Sequence, residues 1–257
     1  LVLAALAGRI GVAAAADPLP ALDVPYVTTP GSVTAAMLDI AKVTRRDTLI
    51  DLGSGDGRIV IGAAERGARA LGVEIDPRLV QESVANARRA GVAGRTQFKV
   101  QDLFATDLRR ASVITMYLLP DVNIKLRPKL LALAPGTRLV SHDWTMGDWT
   151  PDRREVVDAP QKKLGLLKIA TLMQWTVPAN VGGLHLAGDS RLRVDQHYQM
   201  IDGGSLVDQG RVFRIISGRV AGTEVSLAAQ ADDGTRVTLT ARVERQPVPG
   251  TRIDWQL

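Results

Sequence analysis

Thr48-Leu49-Ile50-Asp51-Leu52-Gly53-Ser54-Gly55-Asp56-Gly57 decides the fold. Thr48 to Asp51 reads as a short buried strand, and glycine then takes every second place. Such glycines let the backbone turn tightly and approach a ligand with no Cβ in the way. Arg58 to Gly67 reads as a helix stopped by its glycine. The loop therefore joins a strand end to a helix N-terminus, whose free amides face any ligand held there. Asp51 and Asp56 place two carboxylates in that loop. They suit an ammonium or a sulfonium and are a poor choice for cradling a phosphate.

The same grammar extends to both sides. Upstream, Val33, Met37, Ile40 and Ala41 share one face of a helix that follows Thr29-Pro30-Gly31-Ser32. Downstream come a strand at Ala70–Glu74, a helix at Pro77–Ala90 with Pro77 in its first turn, and a strand at Thr96–Val100. A strand at Ser112–Tyr117, a helix at Asp121–Ala134 and a strand at Arg138–Ser141 continue the series. Alternating strands and helices predict an α/β fold, a Rossmann-like mostly parallel sheet with helices on both faces. Residues 143–163 are polar, with Trp144, Trp149 and two prolines, and read as a loop or short hairpin. Leu166 to Val177 then reads as a closing edge strand. After residues 178–183 the period changes. Leu192, Val194, Tyr198 and Met200 alternate with polar positions, and so do Val225, Leu227 and Ala229 before Asp232-Asp233-Gly234 and Val237, Leu239, Ala241 and Val243 after it. Asp-Gly between two alternating runs is a hairpin signal. The chain thus divides into a segment 1–16, a sheet-and-helix domain 17–178 and a small antiparallel β-module 184–257.

Three strand ends form the candidate ligand site, because open α/β sheets bind ligands beyond the carboxyl ends of their strands. The first is the loop itself: Asp51, Gly53, Ser54, Gly55, Asp56 and Gly57. The second is Glu74, 23 residues after Asp51, with Ile75 beside it. A carboxylate there can accept both hydroxyls of a ribose. The third is Gln101-Asp102-Leu103, where Asp102 is placed to accept from an adenine amino group and Leu103 to pack on the ring. This combination points to S-adenosylmethionine. A nicotinamide dehydrogenase, the main rival, shows Gly-x-Gly-x-x-Gly without the leading Asp.

The order of these motifs resembles the class I S-adenosylmethionine-dependent methyltransferases. Val24-Pro25-Tyr26-Val27-Thr28-Thr29-Pro30, together with the glycine loop, is closer still to bacterial relatives of the small mitochondrial protein-lysine N-methyltransferases. The resemblance spans roughly residues 24–150. It implies that Tyr26 and Thr28 cover the methionine end of the cofactor, and that a protein lysine receives the methyl group. Thr28-Thr29-Pro30 departs from the family's usual Pro-Thr-Pro, and residues 184–257 have no counterpart in the mitochondrial enzymes. The fourth strand ends in Tyr117-Leu118-Leu119-Pro120. Enzymes that methylate base amines or glutamine amides carry Asn-Pro-Pro-Tyr-like residues there, so the resemblance disfavours that chemistry. Tyr117 is the candidate for lining the acceptor channel, with a packed strand-end residue as the alternative. His142, in Ser141-His142-Asp143-Trp144, is a candidate base or a strand cap. That tripeptide is no hydrolase triad, because sequence neighbours cannot form one. A small-molecule acceptor and a binding protein without catalysis remain as alternatives.

Composition narrows the classes. Apolar residues make up 46% and charged residues 23% of the 257, a globular balance. With no cysteine, disulfides, thiolate nucleophiles and cysteine zinc sites are excluded. The three histidines, His142, His185 and His197, lack metal-ligand spacing, so no metal is expected. Net charge is +5, and residues 176–257 carry nine of each sign, which puts the excess on the first 175 residues. No dense Lys/Arg run marks a nucleic-acid surface. Residues 1–16, LVLAALAGRIGVAAAA before Asp17-Pro18, resemble a secretion signal with an Ala-x-Ala cleavage site. That reading implies export or membrane tethering, whereas cofactor supply implies the cytoplasm. An Ala-rich helix packed on the domain is the alternative.

Overall fold

The computed structural model describes residues 27–162 and 167–243, and the backbone of 255–256. Segment 1–16 and Tyr26 lie outside the described residues. Seven strands form the first sheet: β1 (Thr48–Leu52), β2 (Arg69–Glu74), β3 (Thr96–Val100), β4 (Val113–Met116), β5 (Arg138–His142), β6 (Arg153–Asp158) and β7 (Ile169–Thr176). Their order is β3-β2-β1-β4-β5-β7-β6, and β7 runs against both neighbours. Among the described residues, four α-helices accompany them: α1 (Gly31–Ile40), α2 (Arg58–Glu65), α3 (Pro77–Arg89) and α4 (Pro120–Leu131).

Alternation along β1 explains the two layers. Leu49 joins a core with Val33 and Met37 of α1 and Ile59 and Val60 of α2. Ile50 and Leu52 join the opposite core, with Val122, Leu126 and Leu130 of α4. A strand covered on both faces needs apolar side chains on both, which is why β1 reads as a nearly continuous apolar run. α3 packs beside α2. Its N-cap Asp76 accepts from the Arg78 amide at 2.8 Å, and Pro77 opens the helix.

Two expectations about residues 143–177 need correction. The polar stretch holds a strand, β6, and this strand closes the sheet; β7 lies inside it, between β5 and β6. Side chains of β6 are exposed or half-buried, as on an edge, so the strand lacks the apolar signature of its neighbours. The return from β5 to β6 uses no helix. Residues 143–152 run down the α4 face as irregular chain, and Met146 and Trp149, bridged to each other, are buried in that face's core.

The second sheet is a seven-stranded antiparallel meander: β8 (Gly183–Ala187), β9 (Ser190–His197), β10 (Met200–Asp208), β11 (Arg211–Ala221), β12 (Glu224–Ala231), β13 (Arg236–Arg242) and β14 (Trp255–Gln256), each paired with the next. Leu192, Ile201, Phe213, Leu227 and Leu239 share one apolar cluster with no described helix over it, so the sheet curls around its own core. Turn β9–β10 docks it onto the first sheet. There Gln199 Oε1 accepts from Trp149 Nε1 at 2.8 Å, and Gln199 Nε2 donates to the Thr150 carbonyl at 2.7 Å. Tyr198 stacks on Trp149 with ring centroids 5.7 Å apart, and Arg219 pairs with Asp152. No described helix is long and apolar enough to cross a membrane.

Candidate cofactor site

A cleft of about 440 Å³ opens at the carboxyl ends of β1, β2 and β4. Thr28, Asp51, Gly53, Ser54, Gly55, Asp56, Glu74, Ile75, Asp102, Leu103 and Tyr117 all line it. Gly57 and His142 do not.

The glycine loop is held from below and from one side. Gly53 and Ser54 donate their amides to the Val73 carbonyl at 2.9 and 3.0 Å, which ties the loop to β2. Gly72 makes that approach possible: a Cβ there would lie 2.5 Å from Ser54 Oγ. Gly57 has φ +82°, and a Cβ on it would meet Phe98 at 2.8 Å and Ser83 at 2.9 Å. It starts α2 in a crowded left-handed turn. From α3, Ser83 Oγ donates to the Gly55 carbonyl and Asn86 Nδ2 to the Asp56 carbonyl, both at 2.8 Å.

Glu74 also works on the loop. One carboxylate oxygen accepts from the Gly55 amide at 3.0 Å; the other accepts from Ile75 at 2.8 Å and Asp76 at 3.1 Å. Asp102 is exposed and caps its own turn, accepting from the Phe104 amide at 2.7 Å. Asp56 pairs with Arg58, whose Nε is 2.8 Å from Oδ1. Burial works against the Asp56 charge, but the bonds from Arg58 hold its carboxyl below the usual range. Arg58 also donates to the Thr29 carbonyl, which pins segment 27–30 across the loop.

Asp51 is different. It is 3% exposed and accepts the Thr115 hydroxyl at 2.7 Å. Burial pushes its pKa up to about 7; the Thr115 bond opposes this, and the charges of Glu74 and Asp56 add to it. Among the described residues no cation pairs with this buried carboxylate, which faces two more carboxylates. A ligand with an ammonium and a sulfonium supplies one, and a ribose diol and an amino-purine suit the acid-lined remainder. The residues present therefore fit S-adenosylmethionine.

The structure adds lining residues to those expected from the sequence. Asp76, Leu79 and Glu82, spaced by three at the start of α3, face the cleft, as do Arg58 and Leu118; Gln101, expected with Asp102 and Leu103, lines it too. The spacing after β2 was the available signal. At the end of β4, the Tyr117 ring stacks on His142, with centroids 3.9 Å apart and 25° between planes. His142 is fully buried, and burial drives its pKa down to about 4. It is a neutral ring behind the wall, out of reach of anything in the cleft.

This sheet order, with its one reversed strand and a glycine loop between acidic strand ends, defines a class I S-adenosylmethionine-dependent methyltransferase. Comparison with known proteins narrows the class. Residues 51–153 match the model of the ANTKMT methyltransferase domain. The chain is 46% identical over 137 residues to a protein-lysine N-methyltransferase of Saccharolobus islandicus, covering 52% of this chain and 84% of that one. It is 36% identical over 132 residues to the adenine nucleotide translocase lysine N-methyltransferase of Mus musculus, covering 51% of this chain and 57% of the mouse protein. The chain thus spans most of the archaeal relative and little more than half of the mouse one. It is also similar to the crystal structure of an RNA methyltransferase from Salinibacter ruber bound to S-adenosyl-L-homocysteine. There the TM-score is 0.54 and the identity 49%, over 60% of this chain and 96% of the other. The chain belongs to the protein-lysine N-methyltransferase family.

Proposed function

We propose that this enzyme transfers the methyl group of S-adenosylmethionine to the side-chain amine of a protein lysine. The observation that carries the reading is the 46% identity across 84% of the archaeal protein-lysine N-methyltransferase. Bound here, the cofactor supplies a methyl carbon on a positively charged sulfur. Asp51 would face its ammonium end and Glu74 its ribose, Asp102 and Leu103 its purine, and Thr28 with segment 27–30 would cover the methionine. Tyr117, at the end of β4, lines the acceptor side. In the transfer a nitrogen–carbon bond forms and the carbon–sulfur bond breaks, its electron pair returning to sulfur. The amine must arrive neutral, and a dehydrated cleft wall favours that form. Orientation supplies most of the remaining acceleration, worth about 7–11 kcal/mol in well-aligned systems.

Among the described residues, the lining of the cleft runs from Val27 to Leu118 and includes none of the β-module. RNA is the second reading, because the Salinibacter ruber protein of similar identity is named for it. One experiment separates the two. A cell extract is incubated with the enzyme and tritiated S-adenosylmethionine, then divided between protease and ribonuclease. Label that resists ribonuclease and maps to lysine in tryptic peptides is expected. Label released by ribonuclease alone would transfer the reading to RNA.

A further inference from the structure

Just past the ends of β4 and β5, apolar side chains stand in solvent. Leu119, Ile124 and Trp144 are 37%, 41% and 39% exposed. Leu119 caps α4 one residue beyond Leu118, which lines the cleft, and Ile124 lies on the same helix. Trp144 comes two residues after the end of β5 and donates its amide to the His142 carbonyl at 2.8 Å. Of the tryptophans whose side chains are described, Trp149 and Trp175 are buried, whereas Trp144 meets solvent. Single exposed apolar residues are ordinary, but these three share one junction. Asn123, fully buried, donates its amide Nδ2 to the carbonyls of Trp144 at 3.4 Å and Thr145 at 3.2 Å, and its backbone N–H to the Leu119 carbonyl at 3.1 Å. Ser141 Oγ donates to the Trp144 carbonyl at 2.6 Å. Gly147 lies against Ile124, whose Cγ1 would be 3.6 Å from a Cβ there. Buried polar groups thus hold the backbone of an exposed tryptophan, and a face fixed in advance loses less entropy when a partner covers it.

We propose that Leu119, Ile124 and Trp144 form the docking face for the acceptor protein, and that they take an apolar stretch of it beside the lysine to be methylated. Position argues for this occupant: the face continues directly from the cleft wall at Leu118, at strand ends where open α/β sheets receive their ligands. Charge argues for its chemistry. Arg127 pairs with Asp148 at the border of the face, and exposed Asp121 and Lys125 bring one charge of each sign. A polyanion is held by a surplus of cations, whereas a fixed tryptophan among aliphatic side chains is the kind of anchor that an apolar partner covers. The inference rests on the reading of the acceptor as a protein lysine that enters past Tyr117.

The test compares two substrates: the extract protein that carries the lysine label, purified, and a blocked tripeptide centred on that lysine, too short to reach beyond the cleft. Because the side chains are exposed, Trp144→Ser and Ile124→Ser should melt close to the parent and, by calorimetry, bind S-adenosylmethionine within about twofold of it. With the whole protein, each variant should raise KM about tenfold and leave kcat within about twofold, the pattern of lost uniform binding. Trp144→Phe should recover most of the loss, because the contact is apolar. With the tripeptide, all variants should match the parent. An unmoved KM for the whole protein in Trp144→Ser/Ile124→Ser overturns the inference. An equal loss on the tripeptide also overturns it, because the effect would then lie inside the cleft. If Trp144→Ser does not fold, Ile124→Ser and Leu119→Ser carry the same test. The two readings fail separately: label found in RNA removes the lysine reading and the docking face with it, whereas label on lysine with an unmoved KM removes the docking face alone.

Discussion

Asp51 ties the chemistry of the site to pH. Its carboxyl has a pKa near 7 in the free protein, above an ordinary value of 3.8, because burial and two carboxylate neighbours disfavour its charge. A cationic ligand favours that charge. S-adenosylmethionine should therefore bind more tightly as pH rises through 7, with proton release below it, and Asp51→Asn should flatten the dependence. Calorimetry in buffers of different ionisation enthalpy reads the proton directly; equal proton counts in the two proteins would contradict the assignment. The stability sign is the reverse. Both states are protonated below pH 4, so the cost of the buried charge appears as pH rises from about 4 to 7 and reaches about 4 kcal/mol. Asp51→Asn should melt above the parent at pH 8 and level with it at pH 4. Gly57 makes a plainer prediction. A methyl group at φ +82° meets Phe98 and Ser83 below 3.0 Å, so Gly57→Ala should cost about 1–3 kcal/mol in denaturant unfolding. A stability equal to the parent's would show that the loop yields easily.

At the scale of elements, the crossover 143–152 does a helix's work with two side chains. Met146 and Trp149 fill the α4-side core, and Trp149 gives its indole proton to Gln199 of the second sheet. Gln199→Leu leaves that proton buried without an acceptor and should cost about 1–3 kcal/mol. Trp149→Phe removes the donor instead, at the cost of a smaller ring. If the bond is what couples the elements, the double variant should be less destabilised than the sum of the single ones in urea unfolding; strict additivity would mean that the two residues act separately. The same element shows how a strand escapes the sequence. β6 alternates between exposed and half-buried side chains because it is an edge, and Pro151 and Trp149 before it suggest a loop. The strands β1, β2, β4 and β5 carry buried apolar runs, and their placement was legible within a residue or two.

Over the whole molecule, no described residue of the curled sheet lines the cleft. Loosening its docking should therefore change stability and spare binding. Arg219→Ala removes the pair with Asp152 and should lower the melting temperature slightly, with cofactor affinity held within about twofold. A large loss of affinity would reveal a coupling across the sheet. The chain's local chemistry settled much in advance. Glycine at alternate positions after an apolar run means a turn that approaches a ligand, acids at three strand ends mean a cationic, hydroxylated partner, and Asp-Gly between alternating runs means a hairpin; each depends on a few adjacent residues and survives without knowledge of the rest. Tertiary structure alone decided what depends on distant chain. Glu74 also braces the glycine loop, because β2 lies beside β1. Gly57 is a packing glycine, because Phe98 arrives from β3. His142 stacks on Tyr117, because β4 and β5 are neighbours. No spacing in the sequence encodes those approaches. They follow from the order of strands in the sheet, which is fixed only when the two faces are packed together.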